Sequence, residues 1–385
     1  MPQYKSPIHS KLPTANTSIF AIMTKAATEH GAINMAQGFP DFNCDTELID
    51  LVSKYMKKGF NQYAPMPGLM SLREAIAEKT EFLYGAKYNP ETEITITAGA
   101  TQAIFTVITS VVREGDEVII FEPAYDCYQP AIELCGGKTI FMQLKAPTYE
   151  INWEEVKKVI SHKTRMIIIN TPHNPTGSIL SADDLATLEK LTADTDILVI
   201  SDEVYEHILF DTHKHQSACQ YPGLAERSFV ISSFGKTYHT TGWKMGYILA
   251  PPSLTAEVRK VHQFLVFSVN TPIQHALTEY LQKKDLYLEL GNFYQKKRDY
   301  FNKLISGSRF KINPASGTYF QLLDYSAITN EADTEYALRL VKENKIAAIP
   351  VSVFYHTPID NKMLRFCFAK KEETIEKAAE ILCKI

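Results

Sequence analysis

The chain has 385 residues, 45% of them hydrophobic and 22% charged, with a formal net charge of −4. At ~150 residues per domain this length implies roughly two or three domains, and a chain of this size buries roughly three quarters of its unfolded surface without disulfide or metal staples. A mildly acidic balance with no lysine- and arginine-rich run gives no electrostatic reason to seek nucleic acid or an anionic membrane.

In chain order, the first forty or so residues are broken by Pro7, Pro13 and Pro40 and read as an arm. The stretch from Met1 to Ser18 is polar and lacks the apolar core of a signal peptide. No apolar run reaches the length of a membrane helix, so the expected location is the cytoplasm. Between about 93 and 250 short β-branched runs alternate with longer helical stretches. Strands are expected at 93–97, 117–121, 165–170, 197–202, 229–232 and 245–250. Several are nearly continuous in Val and Ile, the pattern of strands buried on both faces of a mostly parallel sheet. Ser181 and Asp184 form a capping-box pattern that opens one covering helix, and Leu185, Leu188 and Leu191 then recur at helical spacing. After Pro272 a long helical region runs through Leu277 to Leu304. Strands follow around 310–323, 347–351 and 363–368, and 372–385 closes the chain as a helix. The fold class is therefore α/β: a large domain with a mostly parallel sheet covered by helices, plus a smaller α+β domain. The expected divisions are 1–43 (arm and part of the small domain), 44–275 (large domain) and 276–385 (small domain). Six scattered cysteines (Cys44, Cys127, Cys135, Cys219, Cys367, Cys383) contain no C-x-x-C pair, which points away from a metal site and toward free thiols.

In an open α/β sheet, ligands sit beyond the carboxyl ends of the strands, and here those ends are polar. The strand at 197–202 runs into Asp202, Glu203 and Tyr205. The next ends in Ser232 and Ser233, with Lys236 just beyond. That at 165–170 ends in Asn170, followed by His173 and Asn174. The one at 93–97 leads to Gly99, Ala100 and Thr101 before a helix. Taken singly, each residue has an ordinary reading: Asp202 as a helix N-cap, Lys236 as a solvated lysine, Gly99 as a turn glycine. Gly235-Lys236-Thr237 has the end of a phosphate-binding loop, but Val230 occupies the place of its first glycine, so a nucleotide loop is excluded.

Taken together, these segments resemble the fold type I pyridoxal-phosphate (PLP) enzymes, class I aminotransferases, and most of all their kynurenine/glutamine transaminase branch. The resemblance runs nearly end to end. It is carried by Gln37-Gly-Phe-Pro-Asp-Phe42, Asn61-Gln-Tyr-Ala-Pro65, Asn170-Thr-Pro-His-Asn-Pro175, Ser201-Asp-Glu-Val-Tyr-Glu-His207, Ser233-Phe-Gly-Lys-Thr-Tyr-His239, Thr241-Gly-Trp-Lys-Met-Gly246 and Arg365-Phe-Cys-Phe-Ala-Lys370. It implies that Lys236 bonds covalently to PLP and acts as the catalytic acid/base, a task suited to a desolvated lysine of lowered pKa. Asp202 then pairs with the pyridine nitrogen, a contact worth roughly 4 kcal/mol at about 4 Å and an effective dielectric near 20. Tyr205 and Asn174 hydrogen-bond the ring oxygen, and Tyr125 stacks on the ring. Gly99, Ala100 and Thr101 hold the phosphate at a helix N-terminus, with Ser233 and Lys244 completing the cup and Tyr63 reaching it from a second subunit. Lys244 stands where other branches carry arginine; a point charge still suits a phosphate. Arg365 grips the substrate α-carboxylate, assisted by Asn174 and the backbone at Gly38. Phe20, Phe39, Tyr125 and Tyr319 either line a side-chain pocket or form plain core.

The implied activity is transamination by a homodimer between an uncharged, bulky L-amino acid (methionine, an aromatic residue or glutamine) and a 2-oxo acid. With no second arginine assignable to a side-chain carboxylate, aspartate ranks low. A cysteine-conjugate β-lyase on the same cofactor, a non-catalytic PLP-binding regulator and a nucleotide-dependent enzyme are the alternatives. Lys236 disfavours the second and Val230 the third.

Overall fold

The computed structural model describes residues 7–13, 17–357 and 359–385; the polar start at 1–6 lies outside the described residues. Helix α1 (Ile19–His30) is capped by the Ser18 side chain on the Phe20 N–H and closed by Gly31 at φ 59°, a left-handed conformation that glycine tolerates. Strand β1 (Ile33–Asn34) pairs in parallel with β11 (Ile346–Ala347) near the other end of the chain. The first forty residues are thus not an irregular arm throughout. Pro7, Pro13 and Pro40 flank this helix and strand without interrupting them, so the prolines marked its limits. Helices α2 (Thr46–Lys57) and α3 (Met70–Tyr84) come next.

Among the described residues the largest sheet has seven strands: β2 (Ile94–Thr97), β3 (Glu117–Glu122), β4 (Lys138–Gln143), β5 (Thr164–Asn170), β6 (Leu198–Asp202), β7 (Ser228–Ser233) and β8 (Gly246–Leu249). Their order is β2-β8-β7-β6-β5-β3-β4. Pairing is parallel except at β8, which runs antiparallel to both β7 and β2. The six expected strands are all present, each end within one residue of expectation. Ile119, Ile167, Val199 and Val230 pack on one face, while Val118, Ile120, Ile168, Ile200 and Ile231 pack on the other, which is why their segments show no polar alternation. The Ser181–Asp184 capping box is formed at the start of the helix Ala182–Thr192.

A second, antiparallel sheet contains β9 (Lys311–Ile312), β10 (Phe320–Asp324), β12 (Ile349–Pro350) and β13 (Met363–Cys367) in the order β12-β13-β10-β9. The long helical region ahead of it is broken into Thr271–Tyr280, Asp285–Leu288 and Leu290–Leu304, and the closing helix spans Glu372–Leu382. Among the described residues no helix is long and apolar enough to cross a membrane. The shared direction of β5, β6 and β7 brings their C-terminal ends to one side of the sheet, with Asn170 directly opposite Asp202 in the ladder.

Candidate active site

Asp202 closes β6 and is buried. The Tyr128 hydroxyl donates to its Oδ2 at 2.6 Å, and Asn170 Nδ2 donates to its backbone oxygen at 2.9 Å. The same Asn170 side chain accepts the Asn174 N–H at 2.8 Å through Oδ1, tying the strand end to the loop that carries Asn174. Burial pushes the Asp202 carboxyl up to about 6, against the opposing pull of the Tyr128 hydrogen bond. It is a carboxylate short of a cationic partner.

Lys236 follows β7 on the short helical turn Phe234–Thr237. Its Nζ donates to the Tyr319 hydroxyl at 2.7 Å and to the Gly38 carbonyl at 3.2 Å. Burial lowers its ammonium to about 8, with Arg365 and Lys244 adding to the effect and Cys367 and Asp202 opposing it. Tyr205 and Tyr319 stand edge to face, 5.2 Å between centroids.

Helix α4 (Ala100–Val111) begins beside them, with Gly99 at its N-cap and no side chain capping it. The first N–H groups of a helix have no partner within it. Gly99 has φ 81°, and a Cβ there would come within 3.3 Å of Lys244 Cε, so the Lys244 side chain lies directly against the helix start. At Gly246 a Cβ would stand 2.8 Å from the Ser232 carbonyl and 3.1 Å from the Ala100 nitrogen. Lys244 itself holds a left-handed φ of 54°, uncommon for a side-chain-bearing residue and a mark of local constraint. Tyr125 reaches Thr101 Oγ1 with its hydroxyl at 3.3 Å. One cavity of about 130 Å³ joins these groups: Gly99, Ala100, Thr101 and Lys244 at one end, Asp202, Tyr205, Asn174 and Tyr125 along its walls, Ser233 and Lys236 across it.

Arg365, on β13, is 1% exposed yet its recorded partners are neutral. Nη1 donates to Asn174 Oδ1 at 2.8 Å, Nη2 to the Ala36 carbonyl at 3.1 Å, and Nε has no partner among the described residues. The guanidinium stacks on Phe320 at 3.9 Å, with Phe20 at 5.3 Å and Phe354 at 5.5 Å. A buried cation bonded only to an amide and a carbonyl is poised for an anion.

The residues expected to meet within one chain converge here with the exception of Phe39. Tyr63, expected to act from a second subunit, does not line the cavity of its own chain: it is 80% exposed and packs edge to face on Phe267. Phe39 is 45% exposed, under the Lys370 ammonium, whereas Phe20 and Tyr319 sit at the site. Two participants carried no assigned role in the sequence. Tyr128 stands three residues after Tyr125, at the start of α5 (Tyr128–Leu134), and that closeness to the expected ring-stacking residue was the available signal. Asn170 ends a strand within a quoted motif, and only the ladder register reveals its contact.

A parallel sheet whose carboxyl edge presents a lysine of lowered pKa, a buried acid and an open helix N-terminus defines a PLP enzyme of fold type I. The chain belongs to the family of class I and II aminotransferases, whose model matches residues 30–382. It is 50% identical to the methionine aminotransferase of Escherichia coli, over 97% of each chain. It is 34% identical to the kynurenine–oxoglutarate transaminase of Dictyostelium discoideum, over 96% of this chain and 94% of that one. The solved structure of the Escherichia coli methionine aminotransferase superposes with a TM-score of 0.96 at 48% identity, covering 99% of this chain and 100% of that one. The protein is an aminotransferase and its cofactor is PLP. The β-lyase alternative draws no support from the family or from these relatives. The residues fit the cofactor: an acid lacking a cation for the pyridine nitrogen, an amine for the aldehyde, and a helix start flanked by a lysine, with glycines where a Cβ would crowd it, for the phosphate.

Proposed function

We propose that this aminotransferase acts on an uncharged or aromatic L-amino acid (methionine-like, aromatic or glutamine) with a 2-oxo acid as acceptor, and that Lys236 is its catalytic residue. When bound, the cofactor supplies a protonated pyridine ring that takes up the electron pair left on the substrate Cα. Asp202 keeps that nitrogen protonated, and Tyr128 and Asn170 hold Asp202 in place. Tyr205 and Asn174 would donate hydrogen bonds to the ring oxygen, Tyr125 would cover the ring, and Gly99, Ala100, Thr101, Ser233 and Lys244 would hold the phosphate. Lys236 would hold the cofactor at rest, and its Nζ, when free, would accept the Cα proton and later release it. Arg365 and Asn174, with the backbone at Gly38, fix the α-carboxylate, which aims the Cα–H bond at Lys236. Two successive half-reactions of this kind give ping-pong kinetics.

The observation that carries this reading is the meeting of Lys236, Asp202, Tyr205 and the α4 start around one cavity. For the donor, support comes from the relative at 50% identity and from the aromatic surroundings of Arg365. A homodimer with Tyr63 entering the partner's phosphate cup belongs to the same reading. It is supported by an exposed apolar surface including Tyr63, Phe264 and Phe267, which marks interaction sites more often than free surface. Unpaired cysteines support a reducing, cytoplasmic setting, and the β1–β11 pairing supports assigning part of 1–43 to the small domain of 276–385, beside a large domain of 44–275.

The test is borohydride reduction of the PLP-loaded protein followed by peptide mass analysis, and then half-reactions with an amino-acid panel followed by cofactor absorbance. Label at Lys236 and faster conversion with methionine than with aspartate are expected. Label elsewhere ends the assignment of Lys236, and aspartate matching methionine ends that of the donor class.

A further inference from the structure

The amine of Lys236 has two recorded acceptors, and they are themselves linked. Nζ donates to Tyr319 Oη at 2.7 Å and to the Gly38 carbonyl at 3.2 Å, while the Tyr319 hydroxyl donates to that same carbonyl. Tyr319 has one proton, and it is committed to Gly38, so its oxygen can present only lone pairs to the lysine. A neutral amine has two N–H bonds and one lone pair. Placing both N–H bonds on Tyr319 and Gly38 leaves the lone pair pointing away from them. An ammonium has a third N–H, and among the described residues it finds no third lone-pair acceptor, only the face of the Tyr205 ring with its centroid 5.4 Å from Nζ.

Tyr319 is held rigidly. It is 1% exposed, it precedes β10 in the second sheet, and its ring packs against Tyr205, Tyr294 and Phe320 with centroids 5.2, 5.6 and 4.9 Å away. Gly38 is fixed from the other side, because a Cβ on it would meet Phe320 Cζ at 2.8 Å. The cradle therefore joins three distant chain segments at one nitrogen.

We propose that Tyr319 is a positioning residue for the catalytic lysine: with the Gly38 carbonyl it receives the Lys236 amine whenever that amine is free, and turns its lone pair toward the substrate. The proposal rests on the assignment of Lys236 made above and adds what holds the amine during turnover. The proton transfer balances simply. The Cα–H bond breaks, an N–H bond forms on Nζ, and the electron pair of the broken bond stays with the substrate carbon, to be drawn into the ring that Asp202 keeps protonated. Without the cradle a flexible four-carbon stem leaves the lone pair to many orientations, and the orientational gain of a held base is lost.

The titratable groups around Nζ are Cys367 and Arg365 from β13, Lys244 after the turn Thr241–Trp243, Asp202 from β6 and the Tyr205 and Tyr319 phenols. Tyr319→Phe changes none of the charges among them and keeps the packed ring. Two measurements test it. In the full-length protein freed of PLP, acylation of Lys236 by a small reagent is followed against pH through the mass of its peptide. Loss of the nearer acceptor costs the ammonium more than the amine, so the midpoint falls by about half a pH unit or more in Y319F. Y294F, which removes a neighbouring phenol whose hydroxyl has no partner, leaves the midpoint in place. In the PLP-loaded protein, the half-reaction with α-deuterated against ordinary methionine shows a larger isotope effect in Y319F. Its kcat falls ~10- to 100-fold with KM changed less than ~3-fold, as for loss of an oriented proton-transfer group. A midpoint and isotope effect equal to wild type, or a change confined to melting temperature, overturns the role of Tyr319. If wild-type Lys236 is also untouched by borohydride, the parent assignment falls with it; if it is labelled, the role of Tyr319 alone is lost.

Discussion

Lys79 Nζ lies 2.7 Å from Glu206 Oε1, with both side chains almost wholly buried, and Glu206 is the residue next to Tyr205. The pair ties α3 to the segment that forms one wall of the site. Tyr84 donates to the other carboxylate oxygen at 2.6 Å, and the Tyr247 hydroxyl stands 2.9 Å from Lys79 and 3.2 Å from Glu206. Burial alone raises the Glu206 carboxyl, but Lys79 and these donors override it and hold it well below the usual carboxylate range. Removing one partner strands the other charge, so Lys79→Met is expected to cost ~3–5 kcal/mol of unfolding free energy. Lys79→Met/Glu206→Met is expected to recover part of that, and denaturant titration of the three proteins measures it. A single variant as stable as wild type refutes the prediction.

Arg365→Ala is expected to lower kcat/KM for methionine by ~2–4 kcal/mol, or roughly 30- to 1,000-fold. The corresponding amine without a carboxylate, 3-(methylthio)propylamine, reacts poorly with wild type and is expected to lose little further. Equal losses on both substrates would give Arg365 a structural role.

Asp202 and Lys236 set the pH dependence of the cofactor-free protein. The folded state raises Asp202 from 3.8 to about 6, so between those values the native state binds more protons than the unfolded one. Stability from this group is present below the lower value and declines as pH rises through the window, by about 3 kcal/mol. Lys236 is lowered from 10.5 to about 8; there the unfolded state binds more protons, and stability rises with pH by a similar amount. Buried His173 and His262 and half-buried His207 and His239, lowered to about 4, 4, 3 and 4, make stability rise with pH in the acid range, against the slope from Asp202. The informative measurement is therefore the difference between wild type and D202N below neutrality, and between wild type and K236A above pH 8. Parallel curves contradict the assignment.

Tyr128→Phe removes the one hydrogen bond that the Asp202 carboxylate receives from another side chain among the described residues, leaving the Val204 N–H at 3.4 Å. The expected effect is weaker retention of PLP, by about 1–2 kcal/mol or roughly tenfold in affinity, with the sheet intact. Cofactor titration by absorbance decides it; unchanged affinity removes Tyr128 from the site.

Phe264 is 87% exposed, close in sequence to Phe267, which packs on Tyr63. Phe264→Glu is expected to shift the protein from dimer toward monomer in sedimentation, because burying a carboxylate at an apolar interface is costly. A monomeric wild type, or a variant that stays dimeric, counts against the interface.

What could be read from the chain was whatever depends on neighbours in sequence. The strands of the large sheet declared themselves because burial on both faces leaves unbroken Val and Ile runs. Strand β4 was missed because Lys138 to Gln143 forms an edge strand with exposed ends and no fully buried residue, and so carries no such run. The break of the helical region at Leu281 to Lys284 left no proline or glycine to mark it. Within the site, Asp202, Lys236 and Arg365 were recognisable through their motifs. The roles of Tyr128 and Asn170 are relations between segments: each depends on which side chain a distant strand end brings within hydrogen-bonding distance, a matter of register and helix phase.

Arg365 has one further consequence, for traffic through the enzyme. Donor, acceptor and both products carry a carboxylate next to the reacting carbon, so on the role proposed for Arg365 all four ligands would compete for a single guanidinium. An excess of either oxo acid should then occupy the form of the enzyme waiting for an amino acid. The protein would slow itself when the acceptor accumulates, a brake that follows from having one such clamp to share between both halves of the cycle.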